Sequence, residues 1–270
     1  MYPVLLEFNL GNNLFRLSSY RFFGTLSAIF LLLVALYYLK SFAFSFNKMF
    51  FYPFITTVSF LIGARLVYAI LYLPKILENP SELFKVGLQN FTLFGGLAAS
   101  LITWWLICQK EELPFWQLND KLVIHAGIGL AIMRTGCFMN GCCFGKVTNM
   151  PWGIQFPQGS FAHLAQISNN PFAIIRQTVP VHPTQLYEIA AALIASLFAF
   201  LILKQKRYKP NPGLATAIFG LILSIGRFIT FFFRHFPEAG NISNLIRGPI
   251  IYGFSILIFS YWIYKVEIVN

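Results

Sequence analysis

Residues 22–39 read FFGTLSAIFLLLVALYYL and carry no charged side chain. A helix of that length, rising about 1.5 Å per residue, nearly covers the ~30 Å hydrocarbon layer of a bilayer. Six further apolar runs follow, at 50–73, 88–108, 122–139, 186–203, 214–233 and 249–264. The run at 122–139 is the least apolar and holds His125 and Arg134. Weakly alternating strands of about ten residues, the mark of a membrane barrel, are missing from this pattern. The expectation is an all-α polytopic membrane protein with about seven transmembrane helices. Residues 1–270 read as a single membrane-embedded domain, without an internal repeat or a soluble module.

Composition agrees. Of 270 residues, 57% are hydrophobic and 11% charged, and the mean hydropathy is +0.66. A soluble domain carries about 25% charged residues. So few charges cannot cover the surface of a soluble enzyme, and a disordered chain or a disulfide-built miniprotein is excluded as well. The net charge of +11 lies between the apolar runs. Its partners are therefore membrane lipids with anionic headgroups rather than nucleic acid. The N-terminal MYPVLLEFNLGNN lacks the basic start of a cleaved signal peptide. Short loops rich in Lys and Arg stay cytoplasmic. The segment KQKRYKP, with Lys204, Lys206, Arg207 and Lys209, has no acid and belongs inside. Alternation then puts the N-terminus outside, the C-terminus in the cytoplasm and residues 140–185 on the outer face.

Chemistry concentrates in a few places. Arg65, Arg134 and Arg227 lie within or at the rim of the runs. A cation near mid-span costs about 2.5–3.5 kcal/mol on insertion scales, so it faces a partner or a polar cavity. Glu188 is the main acid available to pair with them. Three arginines against one acid point to an anion brought by a ligand, and guanidinium matches phosphate with two parallel hydrogen bonds. Structural ion pairing is the competing reading. The densest stretch is RTGCFMNGCCFG, Arg134 to Gly145, in which Gly136, Gly141 and Gly145 suggest that the fourth span breaks into a polar loop. Asn140 offers both a carbonyl and an amide to a ligand. Downstream, VHPTQLYE places His182, near neutral in its ordinary titration, before a helix that Thr184 could cap. His182 is a candidate general base or a backbone-bonded helix-entry residue. Cys137, Cys142 and Cys143 form C-x4-C-C, a spacing unlike zinc motifs and unlike a redox pair. They read as packed thiols or as one disulfide from Cys137, with no metal expected.

In order along the chain, these pieces resemble the prolipoprotein diacylglyceryl transferases. Tyr20 resembles that family's tyrosine near the first span, and Gly63-Ala64-Arg65 resembles its second-helix G-A-R. Phe94-Gly95-Gly96-Leu97 stands where the family has H-G-G-L. Arg134-x-Gly136 through Asn140-Gly141 and Gly145 resembles R-x-G-N-F-x-N-G-x-x-x-G. His182-Pro-Thr-Gln185-Leu-Tyr187-Glu188 resembles H-P-S-Q-L-Y-E, and Gly226-Arg227-Phe228 through Arg234 resembles R-F-x-x-E-F-x-R. The departures are Phe94 for the family His, Cys137 for Asn, Cys142 for the acid and Phe231 for Glu.

The resemblance implies about seven helices around an interfacial lipid cavity in a bacterial inner membrane. It implies transfer of diacylglyceryl from phosphatidylglycerol to the lipobox cysteine of a prolipoprotein signal peptide, releasing glycerol-1-phosphate, with no metal or organic cofactor. Arg134, Arg227 and His182 would be catalytic. Tyr20, Arg65, Gly95, Gly96, Asn140, Gly141, Gly145, Gln185, Tyr187, Glu188 and Arg234 would bind substrate. A lipid-binding or transport protein that kept the arginines, or a transferase with another acceptor, would share these features. The lack of an internal repeat disfavours transport.

The orientation is testable. A Lys206→Cys variant in intact cells is expected to resist membrane-impermeant thiol reagents, and labelling there would invert the topology.

Overall fold

The computed structural model describes residues 4–268 apart from 11–12, 41, 43, 80, 82–91, 170–177, 206–210 and 237–241. The basic loop from Lys206 to Lys209 lies outside the described residues. The chain starts with a hairpin, β1 (Val4–Leu10) and β2 (Asn13–Ser18), paired antiparallel with Glu7 opposite Arg16. Helices follow: α1 (Ser19–Lys40), α2 (Phe46–Leu71), α3 (Leu73–Glu78), α4 (Leu93–Lys110) and α5 (Phe115–Asn140). Then come α6 (Phe161–Asn169), α7 (Thr184–Lys204), α8 (Leu214–Phe233) and α9 (Ile242–Ile268). Among the described residues, six helices are long and apolar enough to cross a membrane, namely α1, α2, α5, α7, α8 and the 248–267 part of α9. The seventh long helix, α4, has 18 residues and overlaps the third apolar run. The hairpin is an addition to the all-helical reading.

Two compact units emerge, residues 1–31 with 116–270, and residues 32–115. In the second, α2 and α4 cross at the glycines of the two sequence motifs. A Cβ on Gly63 would lie 2.5 Å from the Gly95 carbonyl oxygen, and one on Gly95 would lie 2.4 Å from that of Gly63. A Cβ on Gly96 would meet the Phe60 ring at 2.6 Å. Close backbone approach takes the place of the hydrophobic effect, which is weak between helices in lipid. Thr92 ties the start of α4 to the same place, its backbone N–H and its hydroxyl both donating to the Ala64 carbonyl at 3.1 and 3.0 Å. At the far end, Lys48 and the Tyr52 hydroxyl both reach the Glu111 carboxylate.

In the first unit, α7 turns its small and polar residues inward and its large apolar ones outward. Ala192, Ala195, Ser196 and Ala199 are buried, whereas Leu193, Ile194, Leu197, Phe198 and Leu201 are exposed, as suits a lipid-facing surface. Ala195 and Ala199 pack with Ala215 and Phe219 of α8, with Val123, Ile124 and Ala126 of α5 against them. A Cβ on Gly127 would be 2.6 Å from the Ala192 carbonyl oxygen. On the other side of α8, the Phe259 ring of α9 lies over Gly220.

Asp120 locks α5 to the start of α8. Its buried carboxylate accepts from the backbone N–H groups of Gly213 and Thr216, both at 2.8 Å, and from the Thr216 hydroxyl at 2.6 Å. These are amides that a helix start leaves without partners. Gly213 sits at φ +96°, a backbone region that glycine enters without steric cost.

The helix α5 gives way to a loop at the end of the fourth run, as its glycines suggest. It passes through Gly136 and ends at Asn140, before Gly141 at φ +69°. Gly136 serves close approach, since a Cβ there would lie 2.7 Å from Phe23 Cβ of α1. The following loop is held by main-chain bonds to the lead-in of α7 and the end of α8. Gly145 N–H donates to the His182 carbonyl at 2.9 Å, Lys146 N–H to that of Phe233 at 2.8 Å, and His182 N–H to that of Lys146 at 3.0 Å. Phe144, Phe156, Ala162 and Val181 form the core beneath it.

Because the Asp120 carboxylate satisfies two helix-start amides, Asp120→Ala should lower unfolding stability by about 1.5–3 kcal/mol. A thermal melt in detergent checks this, and an unchanged midpoint would remove the cap from the account.

Candidate active site

Four helix-borne side chains meet at one end of the first unit. Arg134 lies late in α5, Glu188 in the first turns of α7, Arg227 late in α8, and Arg234 just past its end. Glu188 Oε1 accepts a hydrogen bond from Arg227 Nη1 at 2.5 Å. Its other oxygen, Oε2, lies 2.5 Å from Arg134 Nε, and Arg234 Nη1 stands 3.7 Å from Oε1. The Glu188 side chain is only 5% exposed. Pairing lowers the cost of placing arginines at this depth. The ion-pairing reading of Arg134 and Arg227 is thus borne out. Arg134, Arg227 and Arg234 all lie within ion-pairing distance of Glu188, and three guanidiniums against one carboxylate leave surplus positive charge.

Bonding at the cluster is incomplete. Arg134 Nε and Glu188 Oε2 are close but have no aligned hydrogen-bond partner, and Gln185 Oε1 is buried without one. Gln185 spends its amide on the Cys142 carbonyl, Nε2 donating at 2.6 Å. Arg134 Nε and Glu188 Oε2 contact each other as an ion pair, so Gln185 Oε1 is the atom beside the cluster left without a partner among the described residues.

Each site residue expected from the sequence has a place. Asn140 is buried at the end of α5, and Gly141 follows, where a Cβ would meet Ser160 Cβ at 2.8 Å. A Cβ on Gly145 would lie 2.5 Å from His182 Cβ, so this glycine brings the loop onto the histidine. His182 Nδ1 lies 3.0 Å from the Tyr187 hydroxyl, which also accepts from Trp152 Nε1 at 2.9 Å. The His182 ring packs against Phe233 at 4.9 Å between centroids. Thr184 does not cap α7. Pro183 stands at the cap position, and the Thr184 hydroxyl donates to the Cys143 carbonyl at 2.6 Å. Tyr20 lies in α1 within electrostatic range of Arg134 and of the three loop cysteines. Arg65, Gly95 and Gly96 belong to the other compact unit, where the glycines take the packing role described above.

Sequence spacing gave no hint of how the cysteines are arranged. The sulfurs of Cys137, Cys142 and Cys143 all lie within 4.8 Å of one another. Arg134 Nη1 stands 3.8 Å from Cys137 Sγ. Cys143 has a left-handed backbone, φ +60°, which breaks the alternation that would point adjacent side chains apart. Hydrogen bonds from Cys137 and then Cys142, with the charges of Arg234 and Arg134, pull the Cys143 thiol well below its ordinary value. The same thiol–thiol bonds push Cys142 up.

The fold and this cluster define a multi-pass membrane protein with a buried, surplus-positive site. The family model described as prolipoprotein diacylglyceryl transferase matches residues 7–264. The chain belongs to that family and is a membrane-embedded transferase. The phosphatidylglycerol–prolipoprotein diacylglyceryl transferase of Clostridium tetani is 30% identical over 73% of this chain and 72% of its own length. That of Coxiella burnetii is 30% identical over 76% and 74%, and that of Zymomonas mobilis 32% over 66% and 57%. The chain thus spans less than two thirds of the Zymomonas mobilis protein.

If Glu188 neutralises the arginines, Glu188→Gln should lower the yield of folded, membrane-inserted protein and depress the melting midpoint. Removing one partner of a buried pair costs about 3–5 kcal/mol. An unaltered midpoint would make the pairing incidental.

Proposed function

We propose that this chain transfers the diacylglyceryl group of phosphatidylglycerol to the lipobox cysteine thiol of prolipoproteins, at the outer face of a bacterial inner membrane. The observation that carries the reading is the cluster of Arg134, Arg227 and Arg234 about Glu188, with its surplus positive charge. Membership of the family and the names of its relatives support the substrates.

In the reaction, the acceptor sulfur attacks the glyceryl carbon that bears the phosphate. The S–C bond forms as the C–O bond breaks, and glycerol-1-phosphate leaves with the electron pair. Charge builds on the leaving phosphate, where Arg134 and Arg227 can neutralise it in a site of low dielectric. Glu188 holds both guanidiniums in position beforehand. Gln185 and Asn140 are placed to orient the headgroup. The acceptor reacts as thiolate, so its proton must leave, and His182 beside Tyr187 is the candidate to take it. Tyr20, in the same unit, would complete the lipid contacts.

The deciding experiment incubates a lipobox peptide with purified protein and phosphatidylglycerol vesicles and reads the product by mass spectrometry. A diacylglyceryl thioether is expected, and a peptide left unmodified would overturn the transfer. Lys keeps the charge of Arg but not its two-pronged geometry. Arg134→Lys and Arg227→Lys should each slow transfer by roughly ten- to a hundred-fold, from about 1.5–3 kcal/mol of charge-assisted bonding. The same change at exposed Arg16 should have little effect. Near-normal turnover in both clamp variants would make the arginines structural.

A further inference from the structure

We infer that Cys137, Cys142 and Cys143 form a three-thiolate site for a thiophilic divalent cation, Zn(II) first, whose open fourth position takes up the acceptor thiol. The second half of this inference rests on the proposed transfer to a thiol, and the first half does not.

The spacing C-x4-C-C looks wrong for zinc only if the residues lie on regular structure. Here the end of α5, the left-handed Gly141 and the left-handed Cys143 fold the segment back on itself. Three sulfurs in a tetrahedral zinc site, with bonds of ~2.3 Å, stand about 3.8 Å apart. In this loop all three lie within 4.8 Å of one another, so only a small contraction closes the site. Neighbouring groups hold the loop in this fold. Thr184 and Gln185 hold the carbonyls of Cys143 and Cys142 at 2.6 Å each. Cys137 is buried, while Cys142 and Cys143 are half-buried, which leaves a side open to an incoming ligand.

Charge favours the same assignment. Three thiolates around a divalent cation carry one net negative charge. Beside them, three guanidiniums face a single carboxylate, and Arg134 touches both groups, at Glu188 Oε2 and Cys137 Sγ. The metal complex would therefore sit against a positive wall that compensates it. Three protein ligands with a free fourth position is the pattern of catalytic rather than structural zinc.

The chemistry fits a transfer to sulfur. A thiol that coordinates such a cation loses its proton outright. The acceptor would enter as R–SH, displace a bound water, release its proton to solvent or to His182, and remain as a metal-held thiolate. Its lone pair then forms the S–C bond, and the thioether, a weaker ligand, leaves the cation. No electron transfer is involved, and the metal is unchanged.

The test uses the full chain, reduced and solubilised in detergent. Titration with Zn(II), and with Co(II) as a coloured probe, should saturate at one equivalent per chain. Thiolate-to-cobalt charge-transfer absorption should appear and should be lost in Cys142→Ser and in Cys143→Ser. Addition of a lipobox peptide should strengthen that absorption, whereas the same peptide with Ser in place of its Cys should leave it unchanged. Absence of binding to the reduced chain, or absorption that survives in both variants, would overturn the site. Thiol counting on protein taken directly from membranes is expected to find all four cysteines free of disulfide. A disulfide within the trio would equally overturn the site. Transfer at an undiminished rate after metal removal would overturn the thiol-activating role while leaving the transferase reading intact. A peptide that joins the cobalt but is never alkylated, with zinc restored and lipid present, would support the site and sink the transferase reading.

Discussion

The structure of the first unit depends on one carboxylate. Glu188 begins α7 at a depth where a lone charge would be expensive, and it draws in a guanidinium from α5 and another from α8. Each helix thus brings a charge that would hinder its insertion alone, and the three offset one another only when assembled. The same contact sets the geometry of the site, because it fixes the depth and direction of both arginines. Stability and function share these atoms, so a change at Glu188 alters both.

The packing around this pair follows the rules of a lipid solvent. Small residues lie between helices and large ones face outward, as α7 shows with its alanines inward and its Leu and Phe residues outward. The interior also buries many polar side chains, and these carry specificity. Asp120 is the clearest case, since it serves as a cap for a helix other than its own.

Much of this was legible in the sequence. Hydropathy located the long helices because a bilayer imposes a length on each of them. The grouping of Arg134, Glu188 and Arg227 followed from their scarcity, since few charges occur in the spans and those present need partners. Other features lay beyond such reasoning. The N-terminal hairpin is too short and too apolar to stand out from a membrane segment. The cap by Asp120 links residues far apart in sequence, and no local pattern announces it. The glycines of RTGCFMNG announced the loop after α5 but not the role of Gly136 inside the helix, where Phe23 fills the space that its missing Cβ leaves. The close clustering of the packed thiols was not legible in their spacing: two left-handed residues bring together sulfurs that a regular backbone would separate.

The two fastenings of α8 have a consequence for traffic through the site. At its start the Asp120 carboxylate holds Gly213 and Thr216, and at its end the Phe233 carbonyl is bonded to the loop at Lys146, with His235 N–H bonded back to Phe144. A helix secured at both ends behaves as a post rather than a door. Arg227 therefore keeps its depth, and under the proposed transfer a path for lipid would open by the displacement of some other element.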